Sequence, residues 1–187
     1  MRPIVITTFV SLDGVMEAPG GGDHPHAGWT FKDVEFDEAA YEIKGREMGE
    51  ATALMFGRQS YDEFHPVWPS MEEFATYNAM PKYVVSTTLA GETAPWGEGE
   101  VTVLSSLDDV AALKATEGGE IHVHGSARLA QSLAAAGLVD RYTLLVYPLL
   151  LGSGKKLFGE GDKTKLRLVE HAAYGNGITL QRYDVVR

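Results

Sequence analysis

Short apolar runs alternate with polar, glycine-bearing junctions along most of this chain, and the segments between them carry apolar residues near helical spacing. That alternation predicts a largely parallel sheet with crossover helices, because each buried strand needs a covered return path. Ile4 to Val10 is apolar and β-branched and stops at Ser11-Leu12-Asp13-Gly14, which predicts a strand ending in a sharp turn. Pro19 to Gly28 is glycine-rich and carries Pro25, so it reads as a loop. Asp37 to Glu50 places Ala40, Ile43 and Met48 near one face and predicts the first helix, although Gly45 weakens it.

Ala53-Leu54-Met55-Phe56 predicts a second buried strand, closed by Gly57-Arg58-Gln59-Ser60-Tyr61, where a helix begins. Tyr83-Val84-Val85 and Val101-Thr102-Val103-Leu104 predict the next two strands, the first ending at Ser86-Thr87-Thr88. Ser106 with Asp108 and Asp109 supplies N-cap chemistry for a helix through Lys114, ended by Gly118-Gly119. Ile121-His122-Val123-His124 then runs into Gly125-Ser126, followed by a helix from Ala127 to Ala136 that stops at Gly137. Tyr142 to Tyr147 is nearly all apolar, which predicts a central strand buried on both faces. Lys165 to Ala172 and Ile178 to Val185 flank Tyr174-Gly175-Asn176-Gly177 and predict a hairpin, hence an antiparallel edge. With no internal repeat, charge block or linker, residues 1–187 read as a single domain.

Composition narrows the functional classes. A hydrophobic share of 44% supports a packed core and excludes disorder as the main state. No apolar run nears the roughly 20 residues of a membrane-spanning helix. The amino terminus, Met1-Arg2-Pro3-Ile4, lacks a secretory pattern, so the cytoplasm is the expected compartment. A formal charge of −10 argues against a nucleic-acid partner, whose phosphates are held chiefly by Lys and Arg. An anionic cofactor stays admissible, because backbone N–H groups and one or two local cations suffice to hold it. There is no cysteine, hence no thiolate nucleophile and no Cys-based zinc site.

The chemistry concentrates where strands feed helices, since ligands of open α/β sheets settle outside the carboxyl ends of strands. Gly57-Arg58 and Gly125-Ser126 each put a glycine between a buried strand and a helix, so backbone can approach a phosphate closely. Together they suggest a pyrophosphate clamp, although one such turn alone is usually only a turn. Arg58 can add charge, and Ser86 and Thr87 can offer hydroxyls to an adenosine ribose or its 2′-phosphate. Asp13 is the candidate proton donor, if its pKa is raised, against the plainer role of a turn-forming Asp.

Several other features have a plainer reading beside the functional one. His24-x-His26 beside Asp23 has metal-like spacing but no third fixed ligand, so no metal is expected. His122 and His124 share one strand face, where packed histidines compete with ligand contact by His124. Trp29, Phe31 and Trp68 can stack on a flat heterocycle or simply fill the core. Lys155-Lys156 can attract a substrate phosphate, though a solvated pair is the commoner arrangement. No serine sits in a nucleophile-elbow frame, which argues against hydrolase chemistry.

In order along the chain, Ser11-Leu12-Asp13-Gly14, Gly57-Arg58-x-Ser60-Tyr61, His124-Gly125-Ser126-x-x-Leu129, Gly137-Leu138-Val139-Asp140 and Pro148-x-x-x-Gly152-x-Gly154-x-x-Leu157-Phe158 resemble the dihydrofolate-reductase-like superfamily. Within it the set is most similar to the reductase domain of the bifunctional riboflavin-biosynthesis deaminase/reductase. The resemblance implies an α/β three-layer sandwich with a mixed, mainly parallel sheet and a carboxy-terminal antiparallel hairpin. It also implies NADPH as cofactor and hydride transfer to a C=N or C=O group of a small pterin- or pyrimidine-like heterocycle. Carried over by position, Gly57, Arg58 and Ser60 face cofactor phosphates, Ser86 and Thr87 the adenosine end, and Gly125, Ser126 and Ala127 the pyrophosphate. Asp13 adjoins nicotinamide or substrate, and the loop Leu151-Gly152-Ser153-Gly154 borders the substrate pocket. Family members are often dimers, so a homodimer is expected. No motif fixes the first-helix carboxylate of true dihydrofolate reductases, for which Asp33, Asp37 and Glu38 are loose candidates. Folate reduction is therefore not the expectation, and a dinucleotide-binding sensor with little turnover is the alternative.

Overall fold

The strand β1 (Ile4–Ser11) lies inside one eight-stranded sheet, flanked by β5 (Glu120–Val123) and β6 (Arg141–Tyr147), both parallel to it. The sheet was taken from a computed structural model, which describes residues 1–89, 93 and 96–187. Beyond β5 come β2 (Ala51–Gly57), β3 (Lys82–Val85) and β4 (Val101–Leu104), each parallel to its neighbour. On the other side β8 (Thr179–Val186) pairs antiparallel with β6, and β7 (Lys165–Ala173) pairs antiparallel with β8 and forms the edge. The order β4-β3-β2-β5-β1-β6-β8-β7 is the mainly parallel sheet with an antiparallel carboxy-terminal pair that the patterning predicts.

Two layers of helix cover this sheet. On one face Ile4, Ile6, Met55, Ile121, Val123 and Leu144 pack beneath α5 (Leu107–Ala115) and α6 (Ala127–Ala135), which contribute Val110, Leu129, Ala130 and Leu133. The opposite face carries two separate apolar clusters. One joins Ala40 and Ile43 of α2 (Glu38–Glu50) to Trp29, Leu145, Tyr147 and Leu180. The other gathers Leu54, Phe56 and Val84 with Tyr61, Tyr77 and Trp96. The remaining helices are short: α1 (Trp29–Lys32), α3 (Arg58–Phe64) and α4 (Ala75–Ala79). Side chains alternate across a strand, so Ile121 and Val123 face the first layer while His122 and His124 face the second.

Local chemistry explains where the helices begin and end. Asp37 accepts from the Ala39 N–H and caps α2, and Ser106 with Asp109 forms a reciprocal capping box for α5. That helix ends at Ala115 with Thr116 as its cap, before the Gly118-Gly119 pair expected to stop it. At the end of α6, Gly137 takes φ +67°, and the Leu138 N–H bonds back to the Leu133 carbonyl at 2.9 Å. This closure satisfies carbonyls that the helix leaves open, and a glycine adopts it without steric penalty.

Candidate active site and cofactor cleft

The two glycine-hinged junctions lie against each other. The Gly57 N–H donates to the Gly125 carbonyl at 3.2 Å, which brings the end of β2 beside the turn into α6. A Cβ on Gly57 would stand 2.3 Å from Ser126 Oγ, and one on Gly125 would stand 2.6 Å from Ser60 Oγ. Gly125 also takes φ +132°, a conformation that L side chains rarely adopt. Both positions therefore exclude any side chain, and bare backbone is left facing the cleft. Neither Gly57 nor Ser126 caps its helix with a side chain, in contrast to Asp37 and Ser106 elsewhere. The first amide donors of α6 are thus left for an anionic group, which the helix dipole also favours.

Two cavities open on either side of this junction. One, of about 710 Å³, is lined by Gly57, Arg58, Ser86, Thr87, Ser105, Ser106, Ser126 and Arg128. The other, of about 580 Å³, is lined by Thr8, Met16, Ser60, His124, Gly125, Ser126 and Ala127, by the aromatic rings of Phe31, Phe64, Trp68 and Phe74, and by Glu17, Gln59, Glu63 and Lys155. Ser126, Gln59 and Glu63 border both. A backbone-walled cleft with hydroxyls and two arginines at one end and stacked aromatics at the other fits a dinucleotide, whose phosphates need donors and whose ring needs a flat partner.

Of the residues singled out from the sequence, Gly57, Arg58, Ser86 and Thr87 lie at the first cavity and Ser60, His124, Gly125 and Ala127 at the second, with Ser126 shared. Their side chains are not all free. The Arg58 guanidinium donates through Nε to both Asp62 carboxylate oxygens, at 2.9 and 2.8 Å, on the exposed face of α3. Ser86 Oγ accepts from the Thr88 and Leu89 N–H groups at 3.2 and 3.1 Å and so shapes its own turn. Arg128, the second residue of α6, was missed in the sequence because no motif distinguishes it from other exposed helix positions.

Asp13 departs from expectation. Its carboxylate accepts from Ser11 Oγ at 2.5 Å and from the Leu151 and Gly152 N–H groups at 3.1 and 2.8 Å. The Ser11 bond, against a partial cost of burial and with the two amides, pulls its pKa down to about 2. A group ionised at every physiological pH does not serve as a general acid. Asp13, Leu151 and Gly152 border neither cavity; instead the aspartate clamps that loop to the end of β1. Nor do Asp33, Asp37 or Glu38 reach the cleft.

His124 is the polar side chain best placed inside. Its Nε2 is sealed from solvent and has no hydrogen-bond partner among the described residues. Loss of hydration, with Lys44 and His122 adding positive charge nearby, holds its pKa well below the ordinary histidine range. The ring meets Trp68 edge-on at 5.7 Å and Tyr77 at 5.1 Å. His122 behind it is fully buried, with Nε2 paired to Glu120 at 2.9 Å, and serves the core. Trp29 is likewise core, donating from Nε1 to the Glu17 carbonyl, while Phe31 and Trp68 do line the cavity.

Lys155 does not present a free ammonium group. Its Nζ donates to Glu17 Oε1 at 2.5 Å and to Gln59 Oε1 at 3.0 Å, and its backbone N–H donates to Glu17 Oε2 at 2.9 Å. His24 reaches the cavity rim but His26 does not. Among the described residues the one group with metal-like proximity is Glu50, Glu120 and His122, away from the cleft, where Arg182 and Arg141 already neutralise the carboxylates.

Comparisons with known proteins agree with this architecture. Uncharacterized protein YwjB of Bacillus subtilis (strain 168) is 35% identical over 185 residues, covering 96% of each chain. A provisionally assigned riboflavin biosynthesis protein from Shewanella sp. PV-4 superposes with a TM-score of 0.77 at 21% identity, covering 99% of each chain. Dihydrofolate reductase from Enterococcus faecalis complexed with NADP(H) superposes with a TM-score of 0.61 at 12% identity, covering 99% of this chain and 97% of that one. Those two likenesses show a dihydrofolate-reductase-like fold. The model for the RibD C-terminal domain matches residues 2–180, and the chain therefore belongs to that family, the reductase domains of riboflavin deaminase/reductase.

Proposed function

We propose that this protein is an NADPH-dependent oxidoreductase that reduces a C=N or C=O group of a small heterocycle. The observation that carries the reading is the contact between Gly57 and Gly125, which merges two strand-to-helix junctions into one backbone-lined cleft. NADPH supplies the hydride when bound, and the protein's part is to orient the rings and exclude water. The amides at the start of α6 hold the pyrophosphate, beside the backbone at Gly57. Arg128 and Arg58 would serve the 2′-phosphate, with Ser86, Thr87 and Ser106 around the ribose. Ser60, Ala127 and Thr8 would line the nicotinamide, and Trp68 and His124 the heterocycle.

His124 lines the ring end of the cleft and is the buried side chain placed to hydrogen-bond the substrate there. The Nε2 of a neutral histidine can donate or accept one hydrogen bond there. The test is calorimetric titration with NADPH and NADH, followed by NADPH oxidation across pterin, pyrimidine and flavin-type substrates. Binding with oxidation of any member is expected; no heat and no melting shift at millimolar cofactor would remove the proposal.

The ionised, loop-clamping Asp13 favours a second reading, a dinucleotide-binding sensor with little turnover. Tight NADPH binding without oxidation across the whole panel would select it.

We also infer that the chain forms a homodimer through its carboxy-terminal hairpin. The edge strand β7 exposes Leu168 and Val169, and Val186 of β8 is also exposed, at the end of the sheet. Light scattering at micromolar concentration should report twice the 20.3 kDa chain mass; a monomer would refute this.

A further inference from the structure

Among the described residues, six sealed side-chain polar atoms lack a hydrogen-bond partner: Glu47 Oε1, Tyr77 Oη, His122 Nδ1, His124 Nε2, Thr143 Oγ1 and Arg182 Nε. All lie on the α2 side of the sheet. Lys44 of that helix donates to Thr7 Oγ1 at 2.8 Å, and Thr143 is the β6 partner of Thr7. Arg182 is the β8 partner of Thr143 and donates to Glu50 at 2.7 Å. His122 and His124 face the same layer, and the Tyr77 ring packs 5.1 Å from that of His124. Buried orphans are rare, because each loses its hydration without replacement. Six along one polar seam therefore point to a partner that they share.

Glu47 is the unexpected member. The buried positions of α2 are Ala40, Ile43 and Glu47, spaced as one helix stripe. A leucine at the third would bury without a desolvation cost, yet the side chain there is a carboxylate with 0% exposure. Its Oε2 accepts from Lys44 Nζ at 2.9 Å, while Oε1 has no partner among the described residues. Burial raises the pKa of the Tyr77 hydroxyl, and the Glu47 charge raises it further, so the two groups are neighbours. His124 in turn feels the charge of Lys44. Glu47, His122 and His124 do not converge closely enough to hold one metal ion. Water both donates and accepts, and so suits a carboxylate, a hydroxyl and an imidazole together.

We propose that Glu47 is a positioning residue for the ring end of the cleft: through buried water that links its free oxygen to Tyr77 and His124, it fixes the imidazole that the heterocycle meets. The substrate side of this role rests on the reductase reading above. Glu47 borders neither cavity, so it acts through His124 and not on the ligand. A carboxylate holds water by a charge-assisted bond, which orients the bridge more firmly than a neutral side chain does. In the free protein the last water satisfies His124 Nε2, and a bound heterocycle takes its place. A charge kept where an apolar side chain packs more stably is the trade of stability for function expected at a working site.

The experiment compares the full wild-type chain with Glu47→Gln, which keeps an acceptor oxygen in place, and with the double variant Lys44→Met/Glu47→Leu. The second change spares Lys44 from being left without its carboxylate. A high-resolution crystal structure of the wild type should show ordered water bonded to Glu47 Oε1 and to Tyr77 Oη or His124 Nε2. The imidazole nitrogen resonances of His124 should move in the double variant and stay near their wild-type positions in Glu47→Gln. With a heterocycle that the wild type reduces, kcat should fall at least tenfold in the double variant, with KM for NADPH within twofold and a melting temperature equal or higher. A dry seam in the wild type would overturn the inference, as would His124 resonances and kcat unchanged in the double variant. A loss of kcat that tracks a lower melting temperature, with unmoved His124 resonances, would reduce Glu47 to a structural role and also overturn it. If the wild type reduces no heterocycle, the reductase reading falls, while the water and the resonances still decide this one.

Discussion

The amide of Gly57 bonds the carbonyl of Gly125 across 3.2 Å, although the two residues close different strands and open different helices. Each glycine leaves open the space that the other junction's serine occupies, so the cleft is defined by two missing side chains as much as by the groups around it.

Gly57→Ala tests that fit. Its new Cβ would fall 2.3 Å from Ser126 Oγ, closer than atoms tolerate, and Ser126 begins α6. NADPH affinity should fall at least tenfold by calorimetry, with a lower melting temperature. An unchanged dissociation constant would show that this contact does not shape the cofactor site.

Phe56 measures the packing beneath the aromatic wall. It is fully buried, stacks on Trp96 at 5.0 Å and meets Phe64 and Trp68 edge-on at 5.9 Å. Phe56→Ala should lower unfolding free energy by about 3–5 kcal/mol in urea denaturation. A loss below 1 kcal/mol would mean that the cluster repacks around the gap.

Much of this was legible from short-range pattern. Alternation fixed which residues of Ile121-His122-Val123-His124 share a face, and cap chemistry at Ser106 and Gly137 located helix ends, because both signals act over a few residues. The clamp of Gly57 and Gly125 was legible as two similar junctions, though their contact is a property of the sheet order. The lowered pKa of Asp13 was not legible because turn chemistry and acid catalysis use the same residue at a strand end, and its partners Leu151 and Gly152 lie far along the chain. The Glu17–Lys155 pair escaped for the same reason, whereas Arg58 and Asp62, at helical spacing of four, carried a readable signal for their ion pair.

Asp13 gives a pH prediction with a definite sign. Its folded pKa of about 2 lies below the ordinary 3.8, so the stabilisation it gives is complete above pH 4 and fades as pH falls toward 2. Asp13→Asn should lower the melting temperature at pH 7 and flatten the acid limb below pH 4. Its NADPH oxidation at saturating substrate should show the wild-type pH profile; loss of one ionisation from that profile would restore Asp13 as a proton donor.

His124 acts in the same direction at higher pH. With its folded pKa held well below 6.5, the unfolded chain binds the extra proton, and stability declines as pH drops beneath 6.5. Lys44 and His122 face it and strengthen the effect, and Tyr77 packs against its ring. Thermal melts between pH 7 and 5 should show a shallower slope for His124→Gln than for the wild type. Parallel slopes would show that His124 is not held neutral.

The most direct test is calorimetric titration of the wild-type chain with NADPH beside Gly125→Val, which fills the contact with Ser60. Saturable one-to-one binding to the wild type, reduced at least a hundredfold in a variant that remains folded by circular dichroism, is the predicted result. No binding to the wild type, or equal binding to both, would contradict the cofactor cleft and the reductase proposal built on it.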